Sequence, residues 1–195
     1  MTRTAVVSRK TGETDIYIEV NLDGSGKTAI DSGVGFFDHM LTALGRHSLM
    51  DLTVRCKGDT WVDDHHSVED IGIALGDAVR QALGDKRGIR RFADVAVPLD
   101  EALVLAAVDV SGRGELYWDV SIGPDKVGTF DTELGQEFFI GFARNAGITL
   151  HLRELCGSNA HHILEATFKA CARALRVAFE SDPRVDDVPS TKGVL

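Results

Sequence analysis

Apolar and polar residues alternate along Thr14-Asp15-Ile16-Tyr17-Ile18-Glu19-Val20 and again along Gly26-Lys27-Thr28-Ala29-Ile30, the period of half-buried strands. The turn-prone Asp23-Gly24-Ser25-Gly26 between them predicts a β-hairpin. A helix is predicted from about Gly35 to Gly45, then a strand from about Met50 to Cys56. Past Asp64 the spacing becomes helical, with Ile71, Leu75, Val79 and Leu83 on one face and Gly84 and Gly88 marking the end. The second half repeats the order. Strand-like runs at 102–110 and 115–120, joined by Ser111-Gly112-Arg113-Gly114, precede a loop at 121–129. A helix at 134–145, a strand at 148–155 and a long helix to about Phe179 follow. This duplicated order predicts an α+β fold made of two sheet-plus-two-helices units in tandem. The first repeat is expected at residues 1–90 and the second at 91–180, with a tail at 181–195.

Each repeat carries a histidine-rich cluster at the head of its last helix: His65-His66-Ser67-Val68-Glu69 and His161-His162-Ile163-Leu164-Glu165. The shared pattern is His-His-x-x-Glu. On a helix the first histidine and the glutamate lie at i and i+4 on one face and can grip one ion. The second histidine points roughly 100° away and belongs to another. One His-His pair is ordinarily surface decoration. A duplicated motif with the same downstream Glu instead predicts a two-metal site.

The repeat points to further donors. His39, preceded by Asp38 as a candidate to orient its ring, lies 26 residues before His65; Glu137 lies 24 before His161. The donor set is then His39, His65, His66, Glu69, Glu137, His161, His162 and Glu165, without sulfur, which suits Mn²⁺, Fe²⁺ or Zn²⁺. Helical geometry argues for crossed wiring. One ion would take His65, Glu69, His162 and Glu137; the other would take His161, Glu165, His66 and His39. His151 is a fallback ligand that reads more simply as a strand histidine.

Composition narrows the class. The chain has 195 residues, 44% hydrophobic and 26% charged, with a formal net charge of −9. That acidity argues against nucleic acid as a partner, and an anionic substrate needs a local cluster of Arg and Lys. Cys56, Cys156 and Cys171 show no paired spacing, so neither disulfides nor a thiolate metal site is expected. No run approaches a membrane span or a signal peptide, so a cytoplasmic protein is expected, without membrane partners.

The stretches GFFDHMLTALGRHSLMDL, DDHHSVEDIGIALGDA, RRFADVAVPLDEALV, SGR, NAHHILEATFKACARAL and PSTKG resemble, in collinear order, imidazoleglycerol-phosphate dehydratase of histidine biosynthesis, in its monofunctional form. The resemblance implies a duplicated, ribosomal protein S5 domain 2-like fold. It also implies two Mn²⁺ per active site, lying between chains of a homo-oligomer of about 24 chains (a 24-mer) built from trimers. The implied ligands are His39, His65, His66, Glu69, His161, His162 and Glu165. The eighth position, often His in the family, is Glu137 here. The implied phosphate contacts are Arg91, Arg113, Lys169, Ser190, Thr191 and Lys192, the last three on the tail, and the implied acid/base residue is Glu13. The implied reaction is dehydration of D-erythro-imidazoleglycerol phosphate to imidazoleacetol phosphate through an imidazolate. Metal at the ring nitrogen is expected to ease proton loss from the carbon bearing the imidazole, and hydroxide is expected to leave the next one. A dinuclear metallohydrolase acting on a phosphate ester would use the same donors but has no need of SGR and PSTKG. A non-catalytic metal-binding shell is the other alternative, which turnover of the phosphate substrate would decide against.

Overall fold

A computed structural model describes residues 3–195. In the first unit, β1 (Thr4–Lys10), β2 (Thr14–Asn21), β3 (Thr28–Asp31) and β4 (Asp51–Gly58) form a sheet in the order β1-β2-β4-β3. Two helices, α1 (Gly35–Ser48) and α2 (His65–Leu83), complete that unit. In the second, β5 (Phe92–Leu99), β6 (Ala102–Asp109), β7 (Glu115–Asp119) and β10 (Thr149–Cys156) form a sheet in the order β5-β6-β10-β7. Its helices are α3 (Leu134–Ala146) and α4 (Ala160–Phe179). The two sheets have the same topology, position for position, so the α+β tandem duplication is real.

Inward and outward residues alternate as the strand period requires. Thr14, Ile16, Ile18 and Val20 of β2 are buried, as are Ala102, Val104, Ala106 and Val108 of β6. The helices cover these inner faces and exchange partners between units: α2 packs on α3, and α1 packs on α4. Buried Phe37, Phe138, Phe139 and Phe168 fill the space between them, with Phe138 and Phe168 stacked at 5.2 Å.

The predicted hairpin between residues 14–20 and 26–30 does not form. β2 pairs antiparallel with β1 and β4, whereas β3 crosses to the far edge of β4 and runs parallel to it. The Asp51 carboxylate captures the crossing chain by accepting the N–H groups of Ser25 (2.8 Å) and Lys27 (2.9 Å). In the second unit β7 likewise joins β10, not β6, guided by Gly112 N–H donating to Gly147 O at 2.7 Å. Two strands the periodicity did not pick out, β1 and β5, are sheet edges whose inner residues are mostly half-buried, Val97 of β5 alone being buried. The loop at 121–129 contributes to a short ribbon, β8 (Lys126–Val127) with β9 (Phe130–Asp131).

Helices α2 and α3 run parallel, since Gly72 faces Phe138 and Gly76 faces Phe142. The approach is close: a Cβ at Gly76 would lie 2.5 Å from Phe142 O. An alanine in a free helix is better than glycine by about 1 kcal/mol, but here overpacking reverses the sign. Gly76→Ala is expected to destabilise the fold by about 1–3 kcal/mol, read as a lower thermal midpoint. An unchanged or raised midpoint would refute this packing.

Candidate metal centre

The pairing of α1 with α4 builds the tightest cluster of donors. His39, on the first turns of α1, and His161 and Glu165, one turn apart on α4, place ligand atoms within 4.8 Å of one another. Among the described residues this is the one such group. Glu165 Oε2 lies 3.2 Å from His39 Nε2 and 3.1 Å from His161 Nε2. Burial opposes the charge on Glu165. Lys169, 2.6 Å from Oε1, and His39 outweigh it and hold the carboxyl down at about 2. Two imidazoles and a permanently ionised carboxylate fit a hard or borderline divalent cation.

Asn159 caps α4 with its side chain, and Asp63, one residue before Asp64 at the uncapped start of α2, holds the first turn there. The Asn159 side chain accepts the N–H groups of His161 (2.9 Å) and His162 (3.2 Å), and Asp63 accepts that of His65 (2.9 Å). His65 Nε2 stands 3.8 Å from Glu69 Oε2, so the i, i+4 pair faces one space. Because α3 runs parallel to α2, Glu137 on its first turn sits at the same end of the layer as Glu69.

His66 and His162 point elsewhere, in matching surroundings. His66 Nδ1 lies 3.1 Å from Asp59, and its Nε2 is 3.7 Å from Glu13. His162 Nδ1 lies 2.7 Å from Glu101, and its Nε2 is 3.7 Å from Asp100. The contact with Asp59 raises the His66 imidazolium above its ordinary value, and Glu101 does the same for His162. Glu101 itself is held at about 2 by His162 and by the backbone N–H of Asn159. A carboxylate on Nδ1 fixes the tautomer and presents Nε2 to a ligand. Asp59 and Glu101 went unnoticed in the sequence. Glu101 is 61 residues from its histidine, and only the fold joins them.

Of the candidate phosphate residues, Arg91 Nε (2.7 Å) and Arg113 (3.4 Å) meet on Asp109, and Arg91 donates to Pro189 O at 2.8 Å, drawing the Ser190–Lys192 segment toward them. Lys169 lies apart, paired with Glu165. Asp38 does not orient His39 through Oδ1, which accepts Ser32 N–H (2.8 Å) and its hydroxyl (2.5 Å) and so ties down the loop entering α1. His151 stacks flat on Tyr117, ring centroids 4.3 Å apart, on the sheet surface.

Residues 32–175 match the family model of imidazoleglycerol-phosphate dehydratase. The chain belongs to the imidazoleglycerol-phosphate dehydratase family. It is 62% identical over 194 residues to the imidazoleglycerol-phosphate dehydratase of Jannaschia sp., covering 99% of this chain and all of the relative. It is 58% identical to that of Granulibacter bethesdensis over the whole of both chains. Among solved structures, the imidazoleglycerol-phosphate dehydratase of Staphylococcus aureus superposes with a TM-score of 0.84 at 38% identity, covering 92% of this chain and 99% of that one. The Pyrococcus furiosus protein gives 0.84 at 41%, covering 97% and 100%. Membership in the imidazoleglycerol-phosphate dehydratase family makes the chain a hydro-lyase of histidine biosynthesis. No helix among the described residues is long and apolar enough to cross a membrane.

Proposed function

We propose that the chain dehydrates D-erythro-imidazoleglycerol phosphate to imidazoleacetol phosphate at a di-manganese site completed between neighbouring copies. The observation that carries this reading is the convergence of His39, His161 and Glu165, while His66 and His162 are oriented away from that group within the chain. One ion would be held by His39, His161 and Glu165 with a copy's His66. The other would be held by His65, Glu69 and Glu137 with a copy's His162. Mn²⁺ bound by these residues would supply Lewis acidity for the loss of water.

The product's carbonyl stands one carbon away from the ring. Atoms therefore balance when hydroxide leaves the imidazole-bearing carbon and the proton leaves its neighbour, with the resulting enol closing to the ketone. This reverses the order expected from ring activation alone. Glu13, presented at the β1–β2 turn beside His66 Nε2, is the residue to take and return that proton. Arg91, Arg113, Ser190, Thr191 and Lys192 hold the phosphate, and Lys169 keeps Glu165 charged and in place.

The test combines elemental analysis with an assay for imidazoleacetol phosphate: two ions per chain and turnover are expected, and full activity with one ion would overturn the two-metal site. The assembly gives a second expectation. The imidazoles of His66 and His162, whose pKa is raised, take up protons early as pH falls, whereas Glu165, held at about 2, stays ionised. Mild acid with a chelator should therefore strip metal through the histidines and reduce the particle to trimers. Mn²⁺ at neutral pH should rebuild it to about 24 chains. Light scattering checks this; an active monomer in Mn²⁺ would refute it.

A further inference from the structure

Glu13 is exposed, yet the turn that carries it is tied to the interior. Thr11 Oγ1 accepts the N–H groups of Glu13 (3.1 Å) and Thr14 (3.0 Å), and Thr11 N–H donates to Thr14 O (2.9 Å). From the other side, Asp59 N–H donates to Glu13 O (3.1 Å). Thr14 then leads inward. It is buried, and its hydroxyl donates to Asp70 Oδ2 at 2.6 Å. Asp70 lies on α2, directly after Glu69 and one turn after His66. It is 7% exposed, and its other oxygen, Oδ1, accepts both Nε (3.0 Å) and Nη2 (2.8 Å) of Arg9 on β1. Both carboxylate oxygens are engaged within the first unit.

The chemistry of the donors gives this chain of bonds a direction. An ionised carboxylate only accepts, so the single proton of the Thr14 hydroxyl is committed to Asp70. In the 3.2 Å contact between the two threonine hydroxyls, Thr11 is then the donor. Its lone pairs are left for the N–H groups of Glu13 and Thr14. The Asp70 charge, paired with Arg9, thus orients both hydroxyls and strengthens the bonds that shape the turn. We propose that Asp70 is a positioning residue for the reaction: acting through Thr14 and Thr11, it ties the Glu13 turn to the helix that carries His65, His66 and Glu69. It touches neither substrate nor metal. The acid/base group and the metal ligands keep a fixed spacing because they share one anchor. The role rests on the assignment of Glu13 above, but the tie itself can be read without turnover.

The experiment is Thr14→Val in the whole assembled protein, with kinetics, elemental analysis and amide hydrogen exchange measured together. Valine keeps the side chain's shape, removes the link and leaves the Arg9–Asp70 pair in place. A fall in kcat of about 10–100-fold is expected, the cost of a misplaced reacting group. KM and metal content should stay near wild type, and exchange at residues 11–14 should quicken while α2 is unchanged. Thr14→Ser, which returns the hydroxyl, should return kcat. Asp70→Asn should reproduce the loss; Thr14→Val decides the matter if Asp70→Asn fails to fold. In a Glu13→Gln background Thr14→Val should lower kcat no further, because the group it positions is already disabled. Additive losses there, the mark of a merely structural role, overturn the proposal. Unchanged kcat in Thr14→Val overturns it too, whatever the exchange shows. So does a loss of metal or a rise in KM alone, which would place the effect at Glu69 or at substrate binding. A wild type that does not turn over imidazoleglycerol phosphate sinks the dehydratase reading itself, an outcome distinct from an active wild type whose Thr14→Val variant is equally active.

Discussion

Glu13→Gln is expected to lower kcat by about 10²–10⁴-fold, the range of one general acid/base, while metal content, assembly and KM stay near wild type. The substitution preserves shape and removes only the capacity to carry a proton. Its surroundings make it a clean test. The backbone N–H of Glu13 is held by Thr11 Oγ1 at 3.1 Å, so the turn does not depend on the carboxylate. The carboxylate is exposed and stands 3.7 Å from His66 Nε2, the atom assigned to metal. Near-wild-type turnover would remove Glu13 from the chemistry. A loss of metal together with activity would make it a support for His66.

Glu165→Gln is expected to be at least as damaging, by a different route. This carboxylate is the shared partner of His39, His161 and Lys169, and its charge is the only anion in the cluster. Neutralising it leaves Lys169 facing the two histidines with its charge uncompensated, so cation binding is opposed and no longer favoured. Metal content should fall by about one ion per chain, with an affinity loss beyond the roughly 10–100-fold typical of an outer-shell partner. Activity should fall with it, and excess Mn²⁺ should restore little. Retention of both ions in elemental analysis would remove Glu165 from the ligand set.

The sequence carried the helices and the chemistry better than the sheets. Helix α2 could be read because one face repeats apolar residues every turn and a glycine stops it, signals contained within a single element. The HHxxE pairs could be read because the motif occurs twice. Strand pairing had no such local signal. Alternation marks β2 and the segment holding β3, but whether they pair or accept β4 between them is decided by Asp51, a carboxylate some 26 positions from the turn it holds. Edge strands β1 and β5 were overlooked because their outer residues face solvent and blur the period. The same limit applies in the site. Asp59 and Glu101 orient His66 and His162, yet no spacing rule singles out an aspartate seven residues before its histidine or ties the start of α4 to Glu101 in a distant hairpin turn.

The exchange of helices between repeats bears on how such a chain arises. A lone ancestral repeat would expose the apolar flank that its helices now give to the other unit, so it would persist only as a pair. In that pair the counterpart of His39 would meet the HHxxE motif of the sister copy, never its own. Joining two copies end to end turned an encounter between molecules into a fixed neighbourhood within one. It also released each half from serving both roles: His39 in the first half answers to Glu137 in the second. Fusion, on this view, is what allowed two once-identical half-sites to become different.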